Sequence, residues 1–141
     1  MKRGMTLVEI MVVVAVVVIL VGLSIPNILR SRIVAYEVMA LANTKSISNA
    51  CQLYHMNQGF YPNSLVDLSA GDPPYIDSQL GSGNKQRYEF KYNRANVDSF
   101  TLSAEPTSGG LLRGKYFYTD ESGIIRSKAD APAGPEDEIV Q

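Results

Sequence analysis

The chain has 141 residues, enough for about one domain, and carries 13 basic against 14 acidic residues for a formal charge of −1. That balance excludes the strongly basic footprint of a nucleic-acid-binding protein, and Cys51 as the single cysteine excludes an intramolecular disulfide and a cysteine-based zinc site. Hydrophobic residues make up 45% of the chain while the mean hydropathy is only −0.03, so the apolar content is unevenly spread, and it concentrates before Pro26.

The chain opens with the basic pair Lys2-Arg3, then Gly4-Met5-Thr6-Leu7-Val8-Glu9, then an apolar run over residues 10–25 without a charge. Together with Met5 to Val8 this run approaches the ~20 residues needed to cross a hydrocarbon core. Its many valines disfavour a helix in water, but an isolated segment in lipid must satisfy its own backbone hydrogen bonds, and a helix does so. Lys2 and Arg3 before the run predict that its start faces the cytoplasm. A secretory signal peptide is the competing reading, with Gly22-Leu23-Ser24 as a small-x-small cleavage match. Glu9 argues against it, because a carboxylate in an apolar segment costs roughly 2.5 to 3.5 kcal/mol at the helix centre, less near the end, and calls for a partner or a purpose. Pro26 either kinks the helix or ends it; Gly22, Ser24 and Pro26 lie close together, and helical pattern resumes at once.

Gly4-Met5-Thr6-Leu7-Val8-Glu9, the apolar run and Pro26 resemble the leader and first helix of the type IV pilin and type II secretion pseudopilin superfamily. The resemblance covers about the first thirty residues. It implies that a prepilin peptidase cuts between Gly4 and Met5 and methylates the new N-terminus at Met5. It also implies that Glu9 registers an incoming subunit against a growing filament and that Pro26 kinks the helix. Phenylalanine is the commoner residue at the position of Met5. Cleavage would place a positive amine at Met5, one helical turn from Glu9, so the two charges can pair within one subunit or between neighbours.

Beyond Pro26, Arg30 and Arg32 suit the far membrane interface. Leu29, Ile33, Tyr36, Ala40, Ile47, Ala50, Cys51 and Tyr54 then recur at helical steps, predicting an amphipathic half of the same helix over residues 30–58. Glu37, Asn43, Lys45, Ser48, Asn49 and Gln52 form the expected polar face, and Gly59 and Pro62 mark the stop. On this stripe Cys51 reads as a small buried hydrophobe, and His55, the only histidine, as a surface residue near the helix end.

A short helix over 64–69, capped by Asn63, is expected next, then a Gly/Pro/Ser/Asp-rich connection over 70–85. In the pilin layout that region contacts neighbouring subunits. Alternating Tyr88, Phe90 and Tyr92, then Phe100, Leu102 and Ala104, predict two half-buried strands with a turn at 93–96. A second turn at 106–110, a third strand at 116–118, a tight connection at 120–123 and a short fourth strand at 124–126 complete an antiparallel meander. The aromatics at strand spacing read as the sheet's core face in preference to a base-stacking surface, so no clear nucleic-acid site is expected.

The expected fold class is α+β: a long N-terminal helix packed on an antiparallel sheet of about four strands, a pilin-like roll. The expected divisions are a leader at 1–4, a membrane and filament-core helix at 5–29, its amphipathic half at 30–58, a head at 59–127 and a flexible tail at 128–141. No metal loop stands out among Asp72, Asp77 and Asp120, and with one histidine and no nucleophile–base motif the chain reads as a non-enzyme without a cofactor. The function expected is a structural subunit of a type IV pilus-like filament, a helical homo-oligomer. It would sit in the inner membrane with its N-terminus cytoplasmic before assembly, and in a surface or periplasmic filament afterwards. A pseudopilin of a type II secretion system is the alternative within the superfamily, and a secreted binding module the alternative outside it. The resemblance further implies prepilin peptidase, an assembly platform protein and an assembly ATPase as partners.

Overall fold

A computed structural model describes residues 4–107 and 114–140. They form three helices, α1 (Leu7–Gln58), α2 (Leu65–Ser69) and α3 (Ser78–Gly81), and six strands, β1 (Asn84–Lys85), β2 (Tyr88–Asn96), β3 (Ser99–Pro106), β4 (Tyr116–Asp120), β5 (Arg126–Lys128) and β6 (Glu138–Ile139). The chain divides into two units, Met1–Arg32 and Ile33–Gln141.

In the first unit every described residue, from Gly4 to Arg32, is exposed. α1 is long and apolar enough here to cross a membrane. It runs through Pro26, so the proline is not a helix terminus. Ser24 Oγ donates to the Leu20 carbonyl at 2.9 Å and Ser31 Oγ to the Asn27 carbonyl at 2.9 Å, which satisfies both hydroxyls within the helix.

The second unit is an α+β roll. α1 buries Ala40, Thr44, Ile47, Ser48, Ala50 and Cys51 in a core shared with Tyr88, Phe90, Phe100, Leu102, Ala104, Phe117 and Ile125. These residues alternate along the strands as a sheet with one covered face requires. The six strands form one antiparallel meander in chain order. Phe100 sits at its centre, its ring 4.7 Å from that of Tyr61 and 5.7 Å from that of Tyr92. Buried Tyr88 and half-buried Tyr92 find acceptors: Tyr88 Oη donates to the Lys115 carbonyl and Tyr92 Oη to the Pro62 carbonyl, each at 2.8 Å.

Six strands replace the expected four because β1 and β6, two residues each, are too short to show a period in sequence. A two-residue turn at Gln86 and Arg87, both with positive φ, joins β1 to β2. Asn43 Nδ2 holds this turn to α1 by donating to Gln86 Oε1 at 3.2 Å, and the Arg87 guanidinium lies over the Tyr36 ring. β2 continues through the expected turn at 93–96 because a bulge between Arg94 and Asn96 absorbs one residue, and the chain reverses at Val97 and Asp98 instead. The fourth long-range pairing falls to Arg126–Lys128, two residues later than expected, while Ile125 is buried ahead of it. The turn expected at 106–110 reaches into residues 108–113, which lie outside the described residues.

The stretch 128–141, expected as a flexible tail, contains β6, which pairs with β5 through Arg126↔Ile139 and Ser127↔Glu138. Asp137 anchors it by accepting from Gly134 N at 2.8 Å and pairing with Lys128 at 3.0 Å. The helix over 64–69 is present, but Ser64 and not Asn63 is its N-cap, because Asp67 stands three residues after Ser64. The Asp67 carboxylate accepts from Ser64 N at 3.1 Å and from Asn63 N at 2.9 Å. The connection over 70–85 is built around α3, with Ile76 and Leu80 buried. Asp77 caps α3 by accepting from Leu80 N at 3.0 Å and is held by Lys85 Nζ at 2.6 Å.

Candidate functional site: the helix start

Gly4 and Met5 precede α1 without regular structure, and Met5 is 70% exposed. Thr6 is the residue before the first helical position. Glu9 N donates to Thr6 Oγ1 at 3.2 Å, and Thr6 N donates in return to Glu9 Oε2 at 3.4 Å. This reciprocal pair is a capping box, the Thr-x-x-Glu arrangement that satisfies two of the amides a helix start leaves without partners. A carboxylate in the first turn also meets the positive end of the helix dipole. Glu9 therefore has a partner within its own chain, and Thr6 is the site residue that the charge argument overlooked. The signal was there to be read, as Thr6-Leu7-Val8-Glu9 immediately before an apolar run.

The structure thus brings Gly4, Met5, Thr6 and Glu9 together at one helix end, and leaves Pro26 apart. Pro26 is 17 residues beyond Glu9 in α1, roughly 25 Å along the axis at a 1.5 Å rise per residue. Among the described residues no heavy atom lies within 4 Å of a Cβ built on Gly4, so no contact among them calls for glycine there. Glu9 is the only acidic residue in the first unit.

No group of three His, Cys, Asp or Glu residues able to hold a metal ion occurs among the described residues. The Cys51 thiol is fully buried, and burial pushes its pKa up to about 12, so it stays protonated and inert. His55 Nε2 lies 3.4 Å from Asp98 Oδ1, and its ring stacks on Tyr61 at 4.4 Å. The Asp77 carboxyl is held below the usual carboxylate range, by the Lys85 hydrogen bond first and the Leu80 amide second, which marks a structural staple.

The expected polar face of α1 is largely committed inside the unit: Ser48 is buried, and Glu37, Asn43 and Gln52 are half-buried. Glu37 Oε1 accepts from Lys115 N at 3.0 Å. The residues that face outward are instead Ala35, Val38, Met39, Ala42, Lys45, Ser46, Asn49, Leu53 and Met56, a surface with a single charge.

Residues 1–25 match the family described as the prokaryotic N-terminal methylation motif. Type II secretion system core protein G of Vibrio cholerae is 28% identical over 124 residues, covering 77% of this chain and 85% of that protein. The motif and these similarities support the type IV pilin and type II secretion pseudopilin superfamily. Core protein G of Escherichia coli K12 is 30% identical over 88 residues, covering 62% of this chain and 61% of that protein. The Pseudomonas aeruginosa protein of the same name is 28% identical over 125 residues, covering 77% and 88%. No solved structure matches. A pilin-like subunit accounts for the two physical halves of the chain, an uncovered apolar helix and a roll whose own core is complete.

Proposed function

We propose that this chain is a structural subunit of a type IV pilus-like filament, assembled from the inner membrane through residues 5–29. The observation that carries the proposal is the exposed first unit. A run of large apolar side chains, uncovered from Leu7 to Leu29, is far beyond what a water-soluble monomer leaves open. Lipid covers that surface before assembly, and the same surface of other copies covers it in a filament core. Within the superfamily, the relatives' printed name favours a type II secretion pseudopilus as the filament; a type IV pilus is the other form of the same reading.

In this proposal prepilin peptidase cuts between Gly4 and Met5 and methylates Met5. Lys2 and Arg3 keep the cut site on the cytoplasmic side. The new amine at Met5 lies beside the Thr6–Glu9 box, so Glu9 gains a cationic partner, from its own chain or from a neighbour, and an unpaired charge disfavours docking at the wrong height. Pro26 has no N–H to donate to the Gly22 carbonyl, and this gap is the place for a bend when helices pack. The platform protein and ATPase act on the membrane-held subunit, and the connection over 70–85 contacts neighbouring subunits.

The test has two arms. Glu9→Ala leaves cleavage and methylation at Met5 intact by mass spectrometry and abolishes filaments; normal filaments from this variant would defeat the role given to Glu9. Electron microscopy of sheared surface material then separates the filaments. Long fibres at native expression favour the pilus, whereas loss of protein export on deletion, without such fibres, favours the pseudopilus.

A further inference from the structure

We propose that the cleft beside Lys45 is the docking site for the acidic turn around Glu136 and Glu138 of a second copy of this chain. The inference rests on the filament reading above and names one of its contacts. The cleft, about 110 Å³, is lined by Lys45, Ser48, Asn49, Gly123 and Ile125, where α1 meets the connection between β4 and β5. Its polar side chains offer donors: an ammonium, a hydroxyl and an amide, with no carboxylate among them. Ser48 is 3% exposed, and its Oγ has no hydrogen-bond partner. Lys45 makes no hydrogen bond or ion pair among the described residues, and it is the only charge on the outward face of α1 within the second unit. A buried hydroxyl without a partner beside a free ammonium is unfavourable as it stands, and a carboxylate has two oxygens with which to satisfy both.

The chain carries the complementary group. Asp137 is tied down locally, accepting from Gly134 N and pairing with Lys128, while Arg126 Nη1 donates to the Asp137 carbonyl at 3.0 Å. That anchoring leaves its neighbours Glu136 and Glu138 exposed, and neither side chain has a hydrogen bond or ion pair among the described residues. The turn is thus held firm and presents two carboxylates at low ordering cost. Cleft and turn are different patches of one surface, so the contact is heterologous. A heterologous contact whose rotation does not close propagates into an open helical assembly, the geometry a filament needs.

The experiment uses filaments of the full processed chain assembled from equal amounts of ordinary and heavy-nitrogen-labelled copies. A carbodiimide joins contacting amines and carboxylates without a spacer, and digestion and mass spectrometry then identify the joined peptides. The expected product is a mixed-isotope pair linking Lys45 to Glu136 or Glu138. Lys45→Glu should lower filament yield by about tenfold or more through like-charge contact, and adding Glu136→Lys with Glu138→Lys should restore it. Lys45 linked only within its own copy, linked instead to Glu121 or Asp72 of another, or unlinked in well-formed filaments would each overturn the proposal. Microscopy of the same sample shows whether filaments formed at all; their absence from the unaltered chain defeats the filament reading and this contact with it.

Discussion

Glu9 has a local role at the helix start and a second one in the filament proposed above, and conservative substitutions separate them. Its carboxylate closes the capping box with Thr6, a local role that needs only a hydrogen-bond acceptor, which glutamine also supplies. The proposed pairing with an amine freed by cleavage before Met5 needs the negative charge. Glu9→Gln should therefore keep the amides of the first turn slow to exchange in micelles while filament yield collapses. Thr6→Ala should do the reverse at the helix start, loosening it by about 0.5 to 2 kcal/mol while retaining the charge. Hydrogen exchange on the two variants, read beside their filament yields, checks both halves. If Glu9→Gln assembles normally, capping and not charge is what assembly requires.

At the scale of elements, short helices packed without side-chain room set the most sensitive positions. A Cβ built on Gly81 in α3 would stand 2.3 Å from Ser69 Oγ and 2.6 Å from Ser69 Cβ, at the end of α2. One of the two helices must move to admit it. Gly81→Ala should destabilise the second unit by about 1 to 3 kcal/mol, the usual range for overpacking, and lower the thermal midpoint measurably in a calorimetric scan. The same packing shows where sequence reading stops. The buried stripe of α1 and the alternation of Tyr88, Phe90, Phe100 and Leu102 were legible because many residues repeat one period. β1, β6 and α3 were not, since two to four residues carry no period and depend on single staples such as Asp77 and Asp137. The outward face of α1 was misread for a related reason. Polar residues are partly drawn into the roll by specific contacts, such as Asn43 on Gln86 and Glu37 on Lys115, which composition does not announce.

For the whole molecule, the same staples and buried hydroxyls set a pH window. Asp77 and Asp137 have carboxyl pKa values lowered in the fold, chiefly by hydrogen bonds from Lys85 and Lys128. A lowered value means the stabilisation is present above the unfolded carboxylate pKa of about 3.9 and is lost as pH falls through the folded value. At the other end, burial raises the Cys51 thiol to about 12 and raises the Tyr88 and Tyr92 phenols. Raised values mean that stabilisation is complete below the unfolded values, about 8.5 for a thiol and about 10 for a phenol, and is lost as pH climbs beyond them. Denaturant midpoints of the full processed chain in micelles should therefore form a plateau between about pH 5 and pH 8.5 and decline on both sides. The two limbs differ in origin and should respond differently to salt. The carboxylate staples are solvent-accessible, so high salt should shrink the acid limb, while the alkaline limb reflects desolvation and should persist. Asp77→Asn should flatten part of the acid limb, and Cys51→Ala should do the same on the alkaline side. A midpoint that stays level from pH 8 to pH 11 would show that these groups titrate without opening the core.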